Sequence, residues 1–328
     1  MADALHERFG GVLLDLDGVV RRGRSAIPGA ADALAGLRDA GRPFACVTNN
    51  ALLTPEAVAE SLQGLGLPVD ADRVVTSPQA VALLLAPQGP KRVLVVGGDG
   101  LRRVLADAGH TIVDSADDAP DVVVQGYSPD VGWPQLAEAT LAVSRGADWY
   151  ASNPDPTLPS ERGLLPGNGA LVAAVRTATG LEPTVAGKPE PAIFRLAAKR
   201  LGTDDLLMVG DRMDTDVAGA NGAGLASAIV LTGAHGPAEI LDAAPASPPG
   251  FVLESVDGLL EPYPEVKRTG DGVHVGGATA RVADGALVVG ASGDWIDRLR
   301  AAVAAAEPGV ATGDAAAALA QGRPRGGH

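Results

Sequence analysis

Short apolar runs that stop abruptly in polar residues recur along this chain, with helix-like stretches between them. VLLDL at 12–16, FACVT at 44–48, LLMVGD at 206–211 and ASAIVLTG at 226–233 are of this kind. So are KRVLVVGG at 91–98, DVVVQG at 121–126 and DWYAS at 148–152. A short run that is apolar on both faces suits a strand buried in a parallel sheet. Parallel neighbours need a crossover, usually a helix. Pro28 opens such a stretch, PGAADALAGLRDAG, closed by Gly41, and Thr54 with Pro55 reads as the N-cap and first turn of another. The alternation predicts an α/β fold with a doubly wound parallel-sheet core.

At 328 residues the chain is long enough for more than one core. The segments that carry chemistry lie early and late, and few lie between. We therefore expect a discontinuous catalytic core at 1–79 and 185–262, interrupted by an inserted α/β cap domain at 80–184. LDAAPASPPG at 241–250 reads as a turn-rich surface loop, and EPYPEVKRTGDG at 261–272 as a second break. A small C-terminal α+β extension, 263–320, should hold two short strands (VHVGG, ALVVG) and the helix DWIDRLRAAVAAA, packed on the core or on a second subunit. Residues 321–328 are expected to be disordered.

Charge excludes some functions. Twenty-six basic residues against 40 acidic ones give a net charge of -14, with no Lys/Arg cluster, so nucleic acid is not an expected partner. No apolar run reaches the roughly 18 residues of a membrane span, and the start, MADALHERFGG, lacks a signal-peptide pattern. The one cysteine, Cys46, allows no internal disulfide, which fits a reducing, cytoplasmic setting. A homodimer is compatible with all of this.

Four segments carry the chemistry. In Asp15-Leu16-Asp17-Gly18-Val19-Val20, two carboxylates stand at a strand's C-terminal end, where open α/β sheets bind ligands. Asp17 is expected to lie already in the turn that follows the strand, where it would converge with Asp15. One carboxylate can attack phosphorus, and the other can protonate the leaving oxygen and then deprotonate water. A solvated strand end followed by a turn reads the same way. Val47-Thr48-Asn49-Asn50 offers a hydroxyl and backbone N–H groups for phosphate oxygens, or merely a capped loop. Lys188, in Gly187-Lys188-Pro189-Glu190-Pro191, precedes a helix start and would offset negative charge, unless it is an ordinary surface lysine. In Gly210-Asp211-Arg212-Met213-Asp214-Thr215-Asp216, three carboxylates on a strand-to-helix turn suit a hard cation or a helix N-terminus. Asp214 and Asp216 are not expected both to point inward.

Taken together and in this order, the four segments resemble those of the haloacid dehalogenase superfamily of phosphohydrolases. The D-L-D-G-V-V, T-N-N and G-D-R-M-D-T-D forms are similar to its nitrophenyl-phosphate, phosphoglycolate and pyridoxal-phosphate phosphatase branch, which carries its cap where an insertion falls here. Val19 stands where many members have Thr, as it does in the capped branch. The resemblance implies a phosphomonoesterase working through a phosphoaspartyl intermediate with Mg2+. Asp15 would be nucleophile and metal ligand. Asp17 would be acid/base and give its backbone carbonyl to the metal, and Asp211 would be the second metal carboxylate. Asp216 would lie in the outer shell, and Thr48, Asn49 and Lys188 would grip the phosphoryl group. The stretch Asn153-Pro154-Asp155-Pro156-Thr157-Leu158-Pro159 through Arg162-Gly163-Leu164-Leu165-Pro166-Gly167-Asn168-Gly169 is similar to the actinobacterial glycerol-3-phosphate phosphatases. That implies glycerol 3-phosphate as the small phosphorylated substrate, ahead of phosphoglycolate and pyridoxal phosphate. Asn153, Asp155, Arg162 and Asn168 are the polar groups there that offer hydrogen bonds to a hydroxylated leaving group, unless the loop serves only to pack the cap onto the core. The tail is reminiscent of an extra piece in that group that looks like part of an acetyltransferase fold, but it is too short for acetyl transfer to be expected.

Other features attract no role. Gly97-Gly98-Asp99-Gly100 lacks the third glycine of a dinucleotide loop, since Arg103 stands there. Trp133, Trp149 and Trp295 read as packing residues. A receiver-type phospho-acceptor, phosphorylated without turnover, would use similar residue types. The acceptor on the first strand beside Asp17, and the long insertion between Thr48 and Lys188, count against it.

Overall fold

The structure is a computed structural model that describes residues 3–160 and 162–322. The chain divides into two compact units. One holds the residues up to Cys46, Gln63–Pro68 and those from Leu201 on; the other holds Val47–Leu62 and Val69–Arg200. The extension thus belongs with the first unit, and the segments flanking the expected insertion belong with the second.

In the first unit the strands Phe251–Leu253, Ala226–Val230, Leu206–Gly210 and Gly11–Leu14, and the Phe44–Cys46 part of the strand Phe44–Thr48, lie side by side in that order, all parallel. Gly11–Leu14 and Leu206–Gly210 are buried throughout, as their unbroken apolar sequence requires. The strand order reverses between these two. Such a switch point opens a crevice at the carboxyl ends of the strands, and Asp15 and Asp211 are the next residues out. The helix Ala30–Asp39 buries Ala33, Leu34 and Leu37, one face at helical spacing.

The extension is larger in structure than its sequence pattern suggests. It has four antiparallel strands, Val266–Thr269, Gly272–Val275, Ala278–Ala283 and Ala286–Val289, where two were expected. It also has two helices, Trp295–Ala305 and Gly313–Gly322, instead of one. The strand Val266–Thr269 is exposed along its length, and Ala278–Ala283 buries only alanines, so neither shows an apolar alternation. The second of these helices is half alanine, and it runs through Gln321 and Gly322, the first two residues of the expected disordered tail. The rest of that tail lies outside the described residues. The expected break at 261–272 contains the first of the four strands, and the expected loop at 241–250 begins inside the helix Pro237–Ala243. The extension shares one core with the sheet, with Val273, Leu299 and Leu319 packed in a cluster with Ile229, Leu241 and Val252. Arg300 fastens the seam: it pairs with Asp297 at 2.8 Å, donates to the Val252 carbonyl at 2.9 Å and lies 4.6 Å from the centre of the Tyr263 ring.

The second unit has its own parallel sheet, in the order Thr184–Val185, Asp148–Ala151, Val122–Gln125, Arg92–Val96, Thr111–Val113. Helices Trp133–Ser144 and Asn168–Thr179 contribute Ala139, Val143, Val172 and Val175 to its core. Thr157–Ser160 and Gly163–Pro166 form a hairpin. Trp149 is buried and donates to Gln125 Oε1 at 3.2 Å. Trp133 is 80% exposed and does not pack as expected, because it opens its helix on the solvent side. Among the described residues no helix is long and apolar enough to cross a membrane.

Candidate active site

Asp15 follows the Gly11–Leu14 strand, its backbone N–H held by the Val209 carbonyl at 2.9 Å, and its side chain is buried. Asp211 follows the neighbouring strand and is buried too. Asp216 lies two helical positions beyond Asp214 in a π-helical turn, Met213–Val217. Each of Asp15, Asp211 and Asp216 offers a carboxylate oxygen, and the three oxygens lie within 4.8 Å of one another. Asp216 Oδ2 accepts the N–H groups of Asp211 and Arg212 at 3.2 and 3.1 Å. Asp214 turns away and pairs with Arg212 at 2.6 Å. Burial raises the Asp214 pKa, but the Arg212 hydrogen bonds and charge outweigh it and hold this carboxyl below its usual range.

Glycines make room for Asp211. A Cβ on Gly233 would fall 2.0 Å from Asp211 Oδ2, and one on Gly18 2.2 Å from it. Gly18 also has φ +91°, which favours glycine. Ala234 N–H donates to the same oxygen at 2.7 Å, and Thr232 Oγ1 donates to the Gly18 carbonyl at 2.6 Å. The 232–234 loop was not singled out from sequence. Its only signal is Thr-Gly-Ala following a buried strand.

Asp17 lies in the turn, as expected, but its side chain is half exposed and gripped at both oxygens by Arg21, 3.1 and 3.3 Å. Its carboxylate is not in the Asp15 group. Three converging buried carboxylates repel one another unless a cation is near, and oxygen donors of this kind suit magnesium. The donor set therefore fits that ion.

The second unit holds the other expected residues. Lys188 is 3% exposed, and its Nζ donates to the Val47 carbonyl at 3.2 Å. Thr48 is buried, and its Oγ1 accepts the Asn50 N–H at 3.1 Å. Asn50 Oδ1 in turn accepts Leu52 N–H at 2.9 Å, capping the loop. The Asn49 carboxamide meets protein at both ends: Oδ1 accepts the Lys188 N–H at 2.8 Å, and Nδ2 donates to the Lys188 carbonyl at 3.0 Å and to Asp155 at 3.2 Å. Asn153 donates to the Asn49 carbonyl at 2.8 Å, and Asn168 to the Asn153 carbonyl at 2.7 Å. Both are buried, whereas Asp155 is half-buried and Arg162 is exposed on the hairpin turn.

Two family models match the chain, one for haloacid dehalogenase-like hydrolases over residues 12–111 and a second, HAD-hydrolase-like, over residues 185–259. The D-glycerol 3-phosphate phosphatase of Mycobacterium tuberculosis (strain H37Rv) is 45% identical over 294 residues, 87% of this chain and 80% of that one. The chain belongs to the haloacid dehalogenase-like hydrolases. A crystal structure of glycerol phosphate phosphatase from M. tuberculosis in complex with magnesium superposes with TM-score 0.86 at 41% identity, over 98% of each chain. A p-nitrophenyl phosphatase from Archaeoglobus fulgidus superposes with TM-score 0.73 at 30% identity, over 77% of this chain and 98% of its own. The core topology expected from the apolar runs is thus that of the family.

Proposed function

We propose that this hydrolase is a magnesium-dependent phosphatase that converts glycerol 3-phosphate to glycerol and phosphate. The observation that carries the reading is the buried convergence of Asp15, Asp211 and Asp216 at the sheet's switch point. Those three side chains would hold the magnesium ion, which supplies positive charge opposite the phosphoryl oxygens. Asp15 attacks phosphorus and displaces the glycerol oxygen, forming a phosphoaspartyl group. Asp17, as the acid, gives that oxygen its proton; as the base, it then takes a proton from water, whose oxygen attacks phosphorus and restores Asp15. An ammonium and a hydroxyl match phosphoryl oxygens, and on that ground Lys188 and Thr48 are assigned to them.

The substrate assignment rests on the glycerol phosphate phosphatases to which the chain is similar over nearly its whole length. Asn153 and Asn168 are buried and bonded inside the protein, so the half-buried Asp155, which also accepts from Asn49, and the exposed Arg162 are the residues to test against the glycerol moiety. A reducing, cytoplasmic setting suits the lone buried Cys46. Sedimentation will show whether the protein is a monomer or a homodimer. The decisive assay compares glycerol 3-phosphate, phosphoglycolate and pyridoxal phosphate on one preparation with magnesium. Glycerol 3-phosphate should have the highest kcat/KM. A tenfold preference for either rival removes the glycerol assignment and leaves the phosphatase standing. A stable phosphoaspartate with no phosphate release removes both.

A further inference from the structure

We propose that Asn49 is a positioning residue that acts in this reaction only through Lys188, and that its side chain does not contact the phosphoryl group. The inference rests on the phosphatase reading above. A carboxamide has one acceptor oxygen and one NH2 group. Here the oxygen takes the Lys188 N–H at 2.8 Å, and the NH2 is shared by the Lys188 carbonyl at 3.0 Å and the Asp155 carboxylate at 3.2 and 3.4 Å. Side chain and backbone thus close a two-bond ring, as two strands do in a sheet. Both ends of the amide are committed to protein before any substrate arrives.

The surroundings are built for this clasp. A Cβ on Gly187 would fall 2.5 Å from Asn49 Oδ1 and 2.4 Å from the Ser152 carbonyl, so only glycine lets the two segments approach. Ser77 Oγ and Asn153 Nδ2 both donate to the Asn49 carbonyl, at 2.9 and 2.8 Å, which fixes the backbone from which the carboxamide projects. The fixed object is the Lys188 backbone, and beyond it a side chain whose Nζ is already aimed at the Val47 carbonyl at 3.2 Å. Releasing the clasp frees the lysine's root. Displacement of a catalytic group by about 1 Å costs on the order of 10²-fold in rate.

A double-mutant cycle on the full-length enzyme tests this, read as kcat/KM for glycerol 3-phosphate and as competitive inhibition by inorganic phosphate. Lys188→Ala should lower kcat/KM by roughly 10²–10³-fold, the order expected when one charge-stabilising donor is lost. Asn49→Ala should lower it by about 10–10²-fold and weaken phosphate inhibition. The double variant should fall within about threefold of Lys188→Ala alone, because Asn49 has nothing left to position. A double variant a further tenfold or more below Lys188→Ala would show that Asn49 touches the substrate itself and would overturn the proposal. Asn49→Ala with wild-type kcat/KM and phosphate inhibition would do so as well. Should Asn49→Ala fail to fold, Asn49→Asp replaces it in the cycle. It preserves the shape and the acceptor for the Lys188 N–H but cannot donate to the Lys188 carbonyl. Absence of any phosphatase activity in the unmutated enzyme, by contrast, would remove the functional reading and this one with it.

Discussion

The carboxylate cluster and the lysine clasp are held in place by opposite means. Asp15, Asp211 and Asp216 stand within a residue or a few of a strand end, and the Asp211 and Asp216 carboxylates accept backbone N–H groups of their own or the adjacent loop. Glycines at 18 and 233 leave the space they occupy. Lys188 is held by side chains far away in sequence: Asn49 lies 139 residues off, and the asparagine that fixes Asn49 lies 104 residues beyond it. The first arrangement comes with the strands and their turns. Both bring distant segments together, but the second does so through side chains, so it should be the more sensitive to substitution at a distance, whereas the first, carried on paired strands, should fail only when its own residues or glycines change.

The largest effect should come from within the carboxylate cluster. Asp15→Asn should lower turnover by about 10⁴-fold or more, because an amide cannot form the acyl phosphate. Its melting temperature should stay near that of the unmutated protein. More than a tenth of the original rate in this variant would sink the mechanism. Asp17→Asn, which removes only proton transfer, should cost about 10²–10⁴-fold.

Chelation should abolish activity, magnesium should restore it, and calcium should inhibit, since its looser coordination disturbs in-line geometry. Full rate in metal-free buffer would refute the assignment of the three carboxylates. Gly233→Ala sharpens the comparison. Its Cβ would lie 2.0 Å from Asp211 Oδ2 and 2.2 Å from Asp211 Cβ, so that carboxylate must move. We expect a loss of about 10²-fold in kcat, together with a loss of stability of about 1–3 kcal/mol from overpacking against the Asp211 Cβ. Unchanged kcat would mean the cluster tolerates displacement and is not held as described.

Legibility divides along the same line. The buried strands 11–14, 44–48 and 206–210 announce themselves because a strand covered on both faces has nowhere to put polar residues. Asp15 and Asp211 are legible for the related reason that they are the first polar groups past those runs. Thr54 as a cap is local as well, and its Oγ1 does accept the Ala57 N–H at 3.3 Å. The two missed strands of the extension carry alanine, lysine and arginine where apolar alternation would have marked them. Asn153 and Asn168 look like surface hydrogen-bonders in a loop rich in proline and glycine. That they are buried follows from packing, and no pattern of spacing in the sequence reveals it. Asn49 reads as a phosphate ligand for the same reason: its partner Lys188 is invisible from its own segment.

Distance sensitivity can be measured at Asn168. Its Nδ2 donates to the Asn153 carbonyl at 2.7 Å and to the Gln125 carbonyl at 3.4 Å, deep in the second unit. Asn168→Ala leaves the buried Asn153 carbonyl short of a partner and should cost about 1–3 kcal/mol in stability. The loosened loop should also lower kcat/KM, by less than tenfold at a temperature where the variant is fully folded. If stability falls and kcat/KM is untouched, the chain from Asn168 through Asn153 to Asn49 does not reach the lysine. If neither changes, the description of this asparagine as a buried fastening is wrong.

The smallest effect separates the two units by pH. Each contains a buried histidine, His6 in the first and His110 in the second. Burial lowers the pKa of both, and Arg42 adds to the effect at His6 while Glu7 opposes it. His110 Nδ1 accepts the Lys91 N–H at 3.2 Å, which a neutral ring can do and a doubly protonated one cannot. Above pH about 6.5, the ordinary histidine value, neither the folded nor the unfolded chain binds the proton, and the stability contributed by the neutral ring is fully present. Below it the unfolded chain takes up the proton first, so stability falls with pH until the lowered folded pKa is passed. One such group accounts for at most about 1.4 kcal/mol per pH unit. Thermal melts between pH 7.5 and 5 should therefore move to lower temperature. His110→Gln should flatten that slope for a transition belonging to the second unit, and His6→Gln should do so for one belonging to the first. If both substitutions flatten a single shared transition, the units unfold together. If neither changes the slope, the acid sensitivity does not come from these two buried rings.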